Sequence, residues 1–210
     1  MRSWVAAGAV IALLVGLGLA GGCASTLPGR TTPALPAAEG WTTVSGVTFV
    51  GQEEQRDCGV AALAMVLGHW RPGVDEPAVR RLVGPTQAEK GVPAGTLRTI
   101  ARRQGMNAFL IEGRFSDLEH EIGQGRPVLV GVAKVRGGRS YPHYEVVVGL
   151  NRRTGAVLLA DPAAGWHEES RRVFDARWAV SRRLSLVVLE EEPTLSQRLA
   201  PRQDTQDLRR

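Results

Sequence analysis

Cysteine and aromatic residues are both scarce in this chain. It has two cysteines among 210 residues, which allow at most one internal disulfide. Aromatic residues make up 5% of the chain and do not interleave with its arginines, which excludes the stacking platform of a nucleic-acid-binding protein. No pair of histidines has metal-ligand spacing with Cys58, so no zinc site is expected. No cofactor is predicted. The net charge of +5 is interpreted as solvated arginine faces, and attraction to anionic lipid or cell-wall polymer is the alternative.

The N-terminal residues have the pattern of a secretory signal peptide. Arg2 gives a short positive start, an almost unbroken apolar run extends from Trp4 to Ala20, and small residues precede Cys23. This pattern predicts a signal peptide over residues 1–22. The alternative is a single membrane-spanning helix, because the run approaches the ~20 residues that a span needs. The small residues before the cysteine favour cleavage.

The end of this segment resembles the lipobox of bacterial lipoproteins, in which the cysteine becomes an acylated N-terminus. The usual leucine three places before the cysteine is Ala20 here, and Leu19 lies one place earlier. The resemblance implies that the mature protein begins at Cys23 and is anchored by lipid to a membrane outside the cytoplasm. Because Ala24 rather than aspartate follows, the outer membrane is the expected location if the source is Gram-negative.

Acylation of Cys23 would leave Cys58 without a disulfide partner. A lone cysteine in an exported protein is either an inert core thiol or a reactive one, and a disulfide between the two cysteines is the third alternative. Apolar residues at helical spacing predict a helix over residues 58–69, with Cys58 in its first turn. Unpaired N–H groups and the helix dipole stabilise a thiolate there. Taken alone, a free cysteine is more often a core residue.

Composition divides the chain into a tether, one domain and a tail. Residues 23–40 are rich in Pro, Thr, Ala and Gly and predict a flexible tether, and residues 191–210 predict a loose polar tail. Residues 41–190 form the predicted domain, of α+β class, with N-terminal helices packed on a mostly antiparallel sheet. Helices are predicted at 58–69, 75–83, 95–103 and from 116 onward. Strands are predicted at 107–112, 127–135, 144–150, 156–160 and 184–189.

His143 and Asp161 are expected to meet at the open end of a β-hairpin. His143 precedes one predicted strand and Asp161 follows the next, with a turn-forming stretch at residues 151–155 between them. Opposed residues of an antiparallel pair have a constant sum of numbers, and a sum of 304 centres this hairpin on residue 152. Asp161 can then fix the tautomer of His143 while the other ring nitrogen serves Cys58. Considered alone, His143 would be interpreted as a solvated histidine at a strand end, and Asp161 as a turn residue before proline.

Together these segments resemble the C39 peptidase family, papain-like domains best known from bacteriocin-processing exporters. The family pattern is a glutamine six residues before Asp-Cys-Gly, a histidine at a strand start, and Asp-Pro after the next strand. The matching residues here are Gln52, Asp57-Cys58-Gly59, His143 and Asp161-Pro162. The resemblance implies a papain-like fold, with Cys58 as nucleophile, His143 as base and Asp161 as its acceptor. It also implies that Gln52 donates to an oxyanion hole, with Gln55 as the rival.

These observations predict a membrane-anchored thiol protease that cleaves exported proteins or peptides through an acyl-enzyme. An exporter or secretion system is an expected partner. The best-known family members cut after two glycines on the cytoplasmic side, whereas the signal peptide would place this chain outside the cytoplasm. Double-glycine specificity is therefore not carried over. Two alternatives stay open: a cell-wall peptide amidase or acyl transferase with the same residues, and a non-catalytic peptide-binding lipoprotein.

Overall fold

The computed structural model describes residues 26–27, 31–84 and 91–190. The predicted signal peptide, the lipidation site Cys23 and the polar tail lie outside the described residues, so these predictions stay predictions. Among the described residues, no helix is long and apolar enough to cross a membrane.

One antiparallel sheet forms the framework of the described part of the chain. Its strands are β1 (Thr26–Leu27), β2 (Trp41–Thr43), β3 (Met106–Glu112), β4 (Val128–Arg136), β5 (Arg139–Asn151), β6 (Val157–Asp161), β7 (Gly165–Glu169) and β8 (Leu184–Glu190). The order across the sheet is β1-β7-β6-β5-β4-β8-β3, and β2 pairs with the end of β5. Every pairing between these strands is antiparallel.

Helices precede and interrupt the sheet. The α-helices of the described residues are α1 (Cys58–Trp70), α2 (Glu76–Val83), α3 (Ala94–Arg103), α4 (Phe115–Gly123) and α5 (Arg171–Val180), and a 3₁₀ turn covers Ala37–Glu39. The predicted α+β class, with early helices on an antiparallel sheet, is confirmed.

Helix α1 is the centre of the core. Its residues from Cys58 to Leu67 are all buried, because apolar or small side chains surround this part of the helix. The helix packs against β4, β5, β6 and β8 and also against α2 and α3. Burial of one such side chain, for example that of Leu63, contributes about 1.5–3 kcal/mol. The packing fixes the position of the helix N-terminus, where Cys58 lies.

The sequence patterns do not predict β7 or α5. Strand β7 reads Gly-Trp-His-Glu-Glu and lacks clear alternation, yet it pairs with β6 along its whole length. In α5, Phe174 and Trp178 are fully buried between exposed or half-buried residues that include several arginines. Two buried aromatic side chains four residues apart are therefore enough to hold this helix on the sheet, although the rest of the helix lacks a clear apolar periodicity.

The segment predicted as a flexible tether contacts the domain wherever the structure describes it. Strand β1 pairs with β7, and the Thr32 N–H donates to the Val47 carbonyl at 2.9 Å. The Asn151 side chain donates to the Glu39 carbonyl at 3.1 Å. A Pro- and Thr-rich composition predicts a lack of periodic structure, but an extended chain can still pair along a domain. The expectation of free flexibility is therefore corrected for the described part of this segment.

The β5–β6 hairpin differs in register from the prediction by two residues. Val146 pairs with Ala160, which places Asp161 across from Glu145 rather than across from His143. A shift of two keeps every side chain on the same face of the sheet. His143 and Asp161 are consequently diagonal neighbours, close enough for long side chains to meet.

The cause of this difference lies in the turn. The Asn151 side-chain oxygen accepts hydrogen bonds from the N–H groups of Arg153 and Thr154, at 2.9 and 3.1 Å. This side-chain-stabilised turn moves the reversal of the chain beyond residue 152. A β-bulge between Val147 and Gly149 then shifts the register once more.

Candidate active site

Cys58 begins α1 at the base of an open cleft of about 510 Å³. Cys58 is 9% exposed, so most of the residue is buried and a small part remains accessible from the cleft. Other residues lining the cleft are Gln55, Arg56, Gly91, Val92, Pro93, Tyr141, Pro142 and Tyr144. The thiol therefore borders a space that a substrate could enter, which an inert core cysteine would not do.

The surroundings of the Cys58 sulfur favour the neutral thiol on balance. Burial raises the pKa of the Cys58 thiol, and it outweighs the backbone hydrogen bonds of Tyr144 and Gly59, which act to lower that pKa. The negative charges of Asp161 and Asp57 raise the pKa further. A thiol held protonated in this way needs a nearby base before it can attack a carbonyl.

A buried imidazole–carboxylate pair adjoins Tyr144, the residue whose backbone contacts the cysteine. His143 Nε2 and Asp161 Oδ1 are 2.6 Å apart, and the two residues are 3% and 1% exposed. This contact occupies Nε2 and leaves Nδ1 of the ring for a second partner. Tyr144, whose backbone bonds to the Cys58 sulfur, follows His143 directly in the chain. The structure therefore joins His143 to Asp161 and places Cys58 against the residue that follows His143.

The end of β6 makes room for the helix N-terminus. Strand β6 stops at Asp161, and its pairing with β5 begins at Val146, so the earlier part of β5 has no strand on that edge among the described residues. The Tyr144 backbone can then reach the sulfur at the start of α1. His143 lies inside β5 rather than before a strand, because the β4–β5 hairpin continues to Arg136 and Arg139.

Asp161 is held in its ionised form by several partners. Burial works against ionisation, but the hydrogen bond and charge of His143 and the contact with Lys134 outweigh it and hold the Asp161 pKa well below its ordinary range. The Ala163 N–H also donates to Oδ1 at 2.9 Å. An ionised Asp161 can orient the imidazole and stabilise the imidazolium that forms when the thiol proton is transferred.

Gln52 and Gln55, the two candidates for the oxyanion hole, differ in their contacts. The Gln52 side chain donates to the Glu54 carbonyl at 2.9 Å, and its Oε1 is buried without a hydrogen-bond partner. The Gln52 backbone N–H donates to the Pro162 carbonyl at 2.9 Å, which ties this loop to the residue after Asp161. Gln55 lines the cleft with Cys58. The donor role of Gln52 stays a prediction.

Asp57 braces the loop that leads into the nucleophile. It is 1% exposed and pairs with Arg80 of α2 at 2.5 Å. Its carboxylate also accepts from the Glu54 N–H at 3.0 Å. The motif around Cys58 therefore contains a structural carboxylate as well as the thiol, a role that the sequence pattern does not reveal.

A charged network that the sequence patterns do not predict lies behind the His143–Asp161 pair. Glu145 is fully buried across from Asp161, and Arg177 pairs with both Glu145 and Glu169. Lys134 contacts Asp161 from β4. Burial raises the pKa of Glu145, against the opposing charge of Arg177. The signal for this network is a charged residue within a strand that is otherwise apolar, as Glu145 is in β5.

Three of these residues also have the composition of a metal site. His143, Glu145 and Asp161 offer ligand atoms within 4.8 Å of one another. His143 and Asp161 are already bonded to each other, and the two carboxylates are already paired with Arg177 and Lys134. Two cations at this position would repel a third, so the cluster is best explained as a hydrogen-bonded network.

The sequence model of the Peptidase C39 family matches residues 47–188. The chain belongs to the Peptidase C39 family. That range contains Gln52, Cys58, His143 and Asp161, and both the family and the cysteine-peptidase class predicted from these residues are confirmed.

Relatives of this C39 peptidase include transport/processing ATP-binding proteins. The chain is 28% identical over 139 residues to the mesentericin-Y105 transport/processing ATP-binding protein MesD of Leuconostoc mesenteroides, covering 63% of this chain and 18% of the relative. It is 25% identical over 130 residues to a lactococcin transport/processing ATP-binding protein, LcnC-like, of Lactococcus lactis subsp. lactis (strain IL1403), covering 62% and 17%. The aligned region thus spans less than a fifth of each of these relatives.

Solved structures confirm the predicted papain-like C39 fold. The peptidase domain of Streptococcus ComA, a bifunctional ABC transporter of a quorum-sensing pathway, superimposes with a TM-score of 0.54 at 23% identity, over 68% of this chain and 97% of that one. A double-glycine-motif protease from an AMS/PCAT transporter, solved with its leader peptide, gives a TM-score of 0.56 at 22% identity, over 71% and 94%.

Proposed function

We propose that this C39 peptidase hydrolyses peptide bonds of exported proteins or peptides through an acyl-enzyme on Cys58. The observation that carries the proposal is the buried 2.6 Å contact between His143 and Asp161 beside a cysteine that borders a cleft. A peptide-binding module needs the cleft but has no use for a buried imidazole–carboxylate pair next to a thiol. Catalysis accounts for both features.

The chemistry follows from the position of each group. The Cys58 sulfur attacks the peptide carbonyl carbon while its proton passes to the free Nδ1 of His143. The oxyanion that forms is held by the Cys58 backbone N–H, one of the unpaired donors of a helix N-terminus, together with a glutamine side chain. His143 then gives the proton to the leaving amine, and the C–N bond breaks. Water, deprotonated by His143, releases the acyl group and restores the thiol.

Membrane anchoring through Cys23 is part of this proposal. A lipid at Cys23 would hold the enzyme on the membrane outside the cytoplasm, where exported chains emerge. An exporter or secretion system is the proposed partner, since the related proteins are named for both transport and processing. Double-glycine cleavage, which is named for a structural neighbour, is an outcome to test.

An amidase or acyl transferase acting on cell-wall peptides is a second candidate. Arg56 is the one charged side chain lining the thiol cleft among the described residues. Cell-wall stem peptides carry free carboxylates, which an arginine binds well. An arginine in the cleft lining favours a substrate that carries a free carboxylate, as a stem peptide does.

Two measurements test the proposed function on the purified full-length protein. The first is the rate at which iodoacetamide alkylates Cys58 at pH 7, read by peptide mapping, which separates Cys58 from Cys23. We expect rapid labelling of the wild type, in which His143 accepts the thiol proton, and slow labelling of His143→Ala, in which a thiol whose pKa is raised by burial has lost that base. Arg136→Ala, an exposed change on the neighbouring strand, should behave as the wild type. Labelling of the wild type only after denaturation would contradict the proposal.

The second measurement identifies the substrate class. N-termini of exported proteins are compared between cells with the wild-type enzyme and cells with Cys58→Ala, and the purified enzyme is incubated with sacculi. Protein N-termini that require Cys58 support the peptidase. Products released from sacculi alone support the amidase.

A further inference from the structure

The two oxygens of the Asp161 carboxylate have different partners. Oδ1 contacts His143 Nε2 at 2.6 Å and accepts the Ala163 N–H at 2.9 Å. Oδ2 contacts the ammonium of Lys134. The base of the active site is therefore held through one oxygen, while the other is held by a cation on a separate strand.

Lys134 reaches Asp161 from the side away from the thiol cleft. It lies on β4 across from Tyr141 of β5, and its side chain is 23% exposed. A second cavity, of about 380 Å³, is lined by Lys134 and Asp161, and Lys134 is absent from the lining of the thiol cleft. Solvent thus has access to the lysine without passing the nucleophile.

Other cations near this cavity are already committed elsewhere. Arg177 forms salt bridges to Glu145 and Glu169, the remaining carboxylates of the cavity wall. Lys134 is therefore the cation paired with Asp161 Oδ2 in the described part of the chain. It is also one of two lysines in a sequence with 26 lysines and arginines together. A compact ammonium satisfies a single oxygen, whereas a guanidinium fork tends to take both oxygens of a carboxylate.

We propose that Lys134 is a positioning residue for the reaction: it holds Oδ2 of Asp161 so that Oδ1 stays aimed at His143. This inference rests on the proposed function. Without the ammonium, Oδ2 would be left buried and unpaired, which is costly, and the carboxylate would rotate toward water in the cavity. The imidazole would then lose its fixed orientation, although no group that touches the thiol has changed.

If Lys134 has this role, a small free amine should take the place of its ammonium group in a variant that lacks the side chain. In the full-length Lys134→Ala protein, the missing atoms correspond in size to propylammonium, and the cavity offers that ion a place to bind. We expect Cys58 alkylation by iodoacetamide to fall about 10-fold, the lower end of the effect of removing the direct partner of a metal-binding histidine, because Lys134 acts through Asp161. Added propylammonium should restore the rate in a saturable way. Propanol, of the same size but neutral, should not restore it.

Arg136→Ala is the matched control, because Arg136 is an exposed cation two residues further along the same strand and face. Its alkylation rate should equal that of the wild type with or without the amine. If Lys134→Ala does not fold, Lys134→Gln takes its place in the assay, with the same expected loss. A Lys134 variant that is alkylated at the wild-type rate overturns the inference. In Lys134→Ala, a loss that propylammonium fails to restore, or that propanol restores equally, overturns it too.

The result separates this inference from the proposed function. An unreactive wild-type Cys58 would contradict both the proposed function and the role of Lys134. A reactive wild-type Cys58 that does not depend on Lys134 would remove the positioning role alone.

Discussion

At the scale of residues, the site depends on the negative charge of Asp161, which stays ionised although it is buried. Asp161 is 1% exposed, and it stays ionised because His143, Lys134 and the Ala163 N–H all favour the anion. Each partner comes from a different segment of the chain. The carboxylate therefore depends on the fold, and the fold in turn gains stability from the carboxylate.

This coupling predicts how stability changes with pH. The Asp161 pKa is held below its ordinary value in the folded protein, so the stabilisation is present above about pH 4 and is lost as the pH falls toward the folded pKa. In this acidic range the unfolded chain binds a proton that the folded chain does not. We expect Asp161→Asn to be less stable than the wild type at pH 6 and to lose less stability between pH 6 and pH 3.

Urea unfolding midpoints at these two pH values measure the effect. Glu112→Gln, which removes an exposed carboxylate at the end of β3, is the control and should follow the wild type at both. Parallel losses in the wild type and Asp161→Asn on acidification would contradict the assignment of the charge to Asp161.

At the scale of elements, local pattern predicts helix α1 and several strands well. The apolar spacing of residues 58–69 predicts a helix that the structure extends by one residue, to Trp70. Local pattern fails where few residues carry the packing, as with Phe174 and Trp178 in α5. It also fails for the hairpin register, which the Asn151 side chain determines.

The active-site residues divide in the same way. Cys58, His143 and Asp161 are singled out by local signals: a helix start, a predicted strand start that the structure moves to Arg139, and an Asp-Pro pair. Lys134 cannot be predicted, because its contact with Asp161 depends on β4 and the end of β6 lying on either side of β5. Alternation within a strand gives the face of a side chain but does not identify the strand beside it.

Because α1 lies at the centre of the core, its buried side chains should contribute more to stability than the exposed side chains of α2. Leu63 is fully buried, whereas Leu82 of α2 is 43% exposed. We expect Leu63→Ala to lower the free energy of unfolding by about 2–5 kcal/mol, because it removes apolar contacts and leaves a cavity. The same change at Leu82 should have a much smaller effect. Denaturant unfolding measures both, and equal costs would show that α1 is not the centre of the core.

At the scale of the whole molecule, the sheet has the candidate site in its middle and the N-terminal segment at one edge. Strand β1 pairs with β7, and β7 pairs with β6, which ends at Asp161. The chain before β1 leads back to Cys23 within three residues, a reach of at most about 10 Å. A lipid on Cys23 would therefore hold this edge of the sheet close to the membrane surface.

Replacement of the proposed lipid acceptor tests this arrangement directly. We expect Cys23→Ser to abolish incorporation of labelled fatty acid and to block signal-peptide cleavage, because the acylated cysteine is the proposed processing site. Cys58→Ser, which also removes one thiol, should remain acylated and membrane-bound. Fatty-acid labelling and the mass of the mature N-terminus distinguish the two variants. If Cys23→Ser still carries the label, or if the wild type never does, the anchor is not at Cys23, and the thiol chemistry of Cys58 would stand without it.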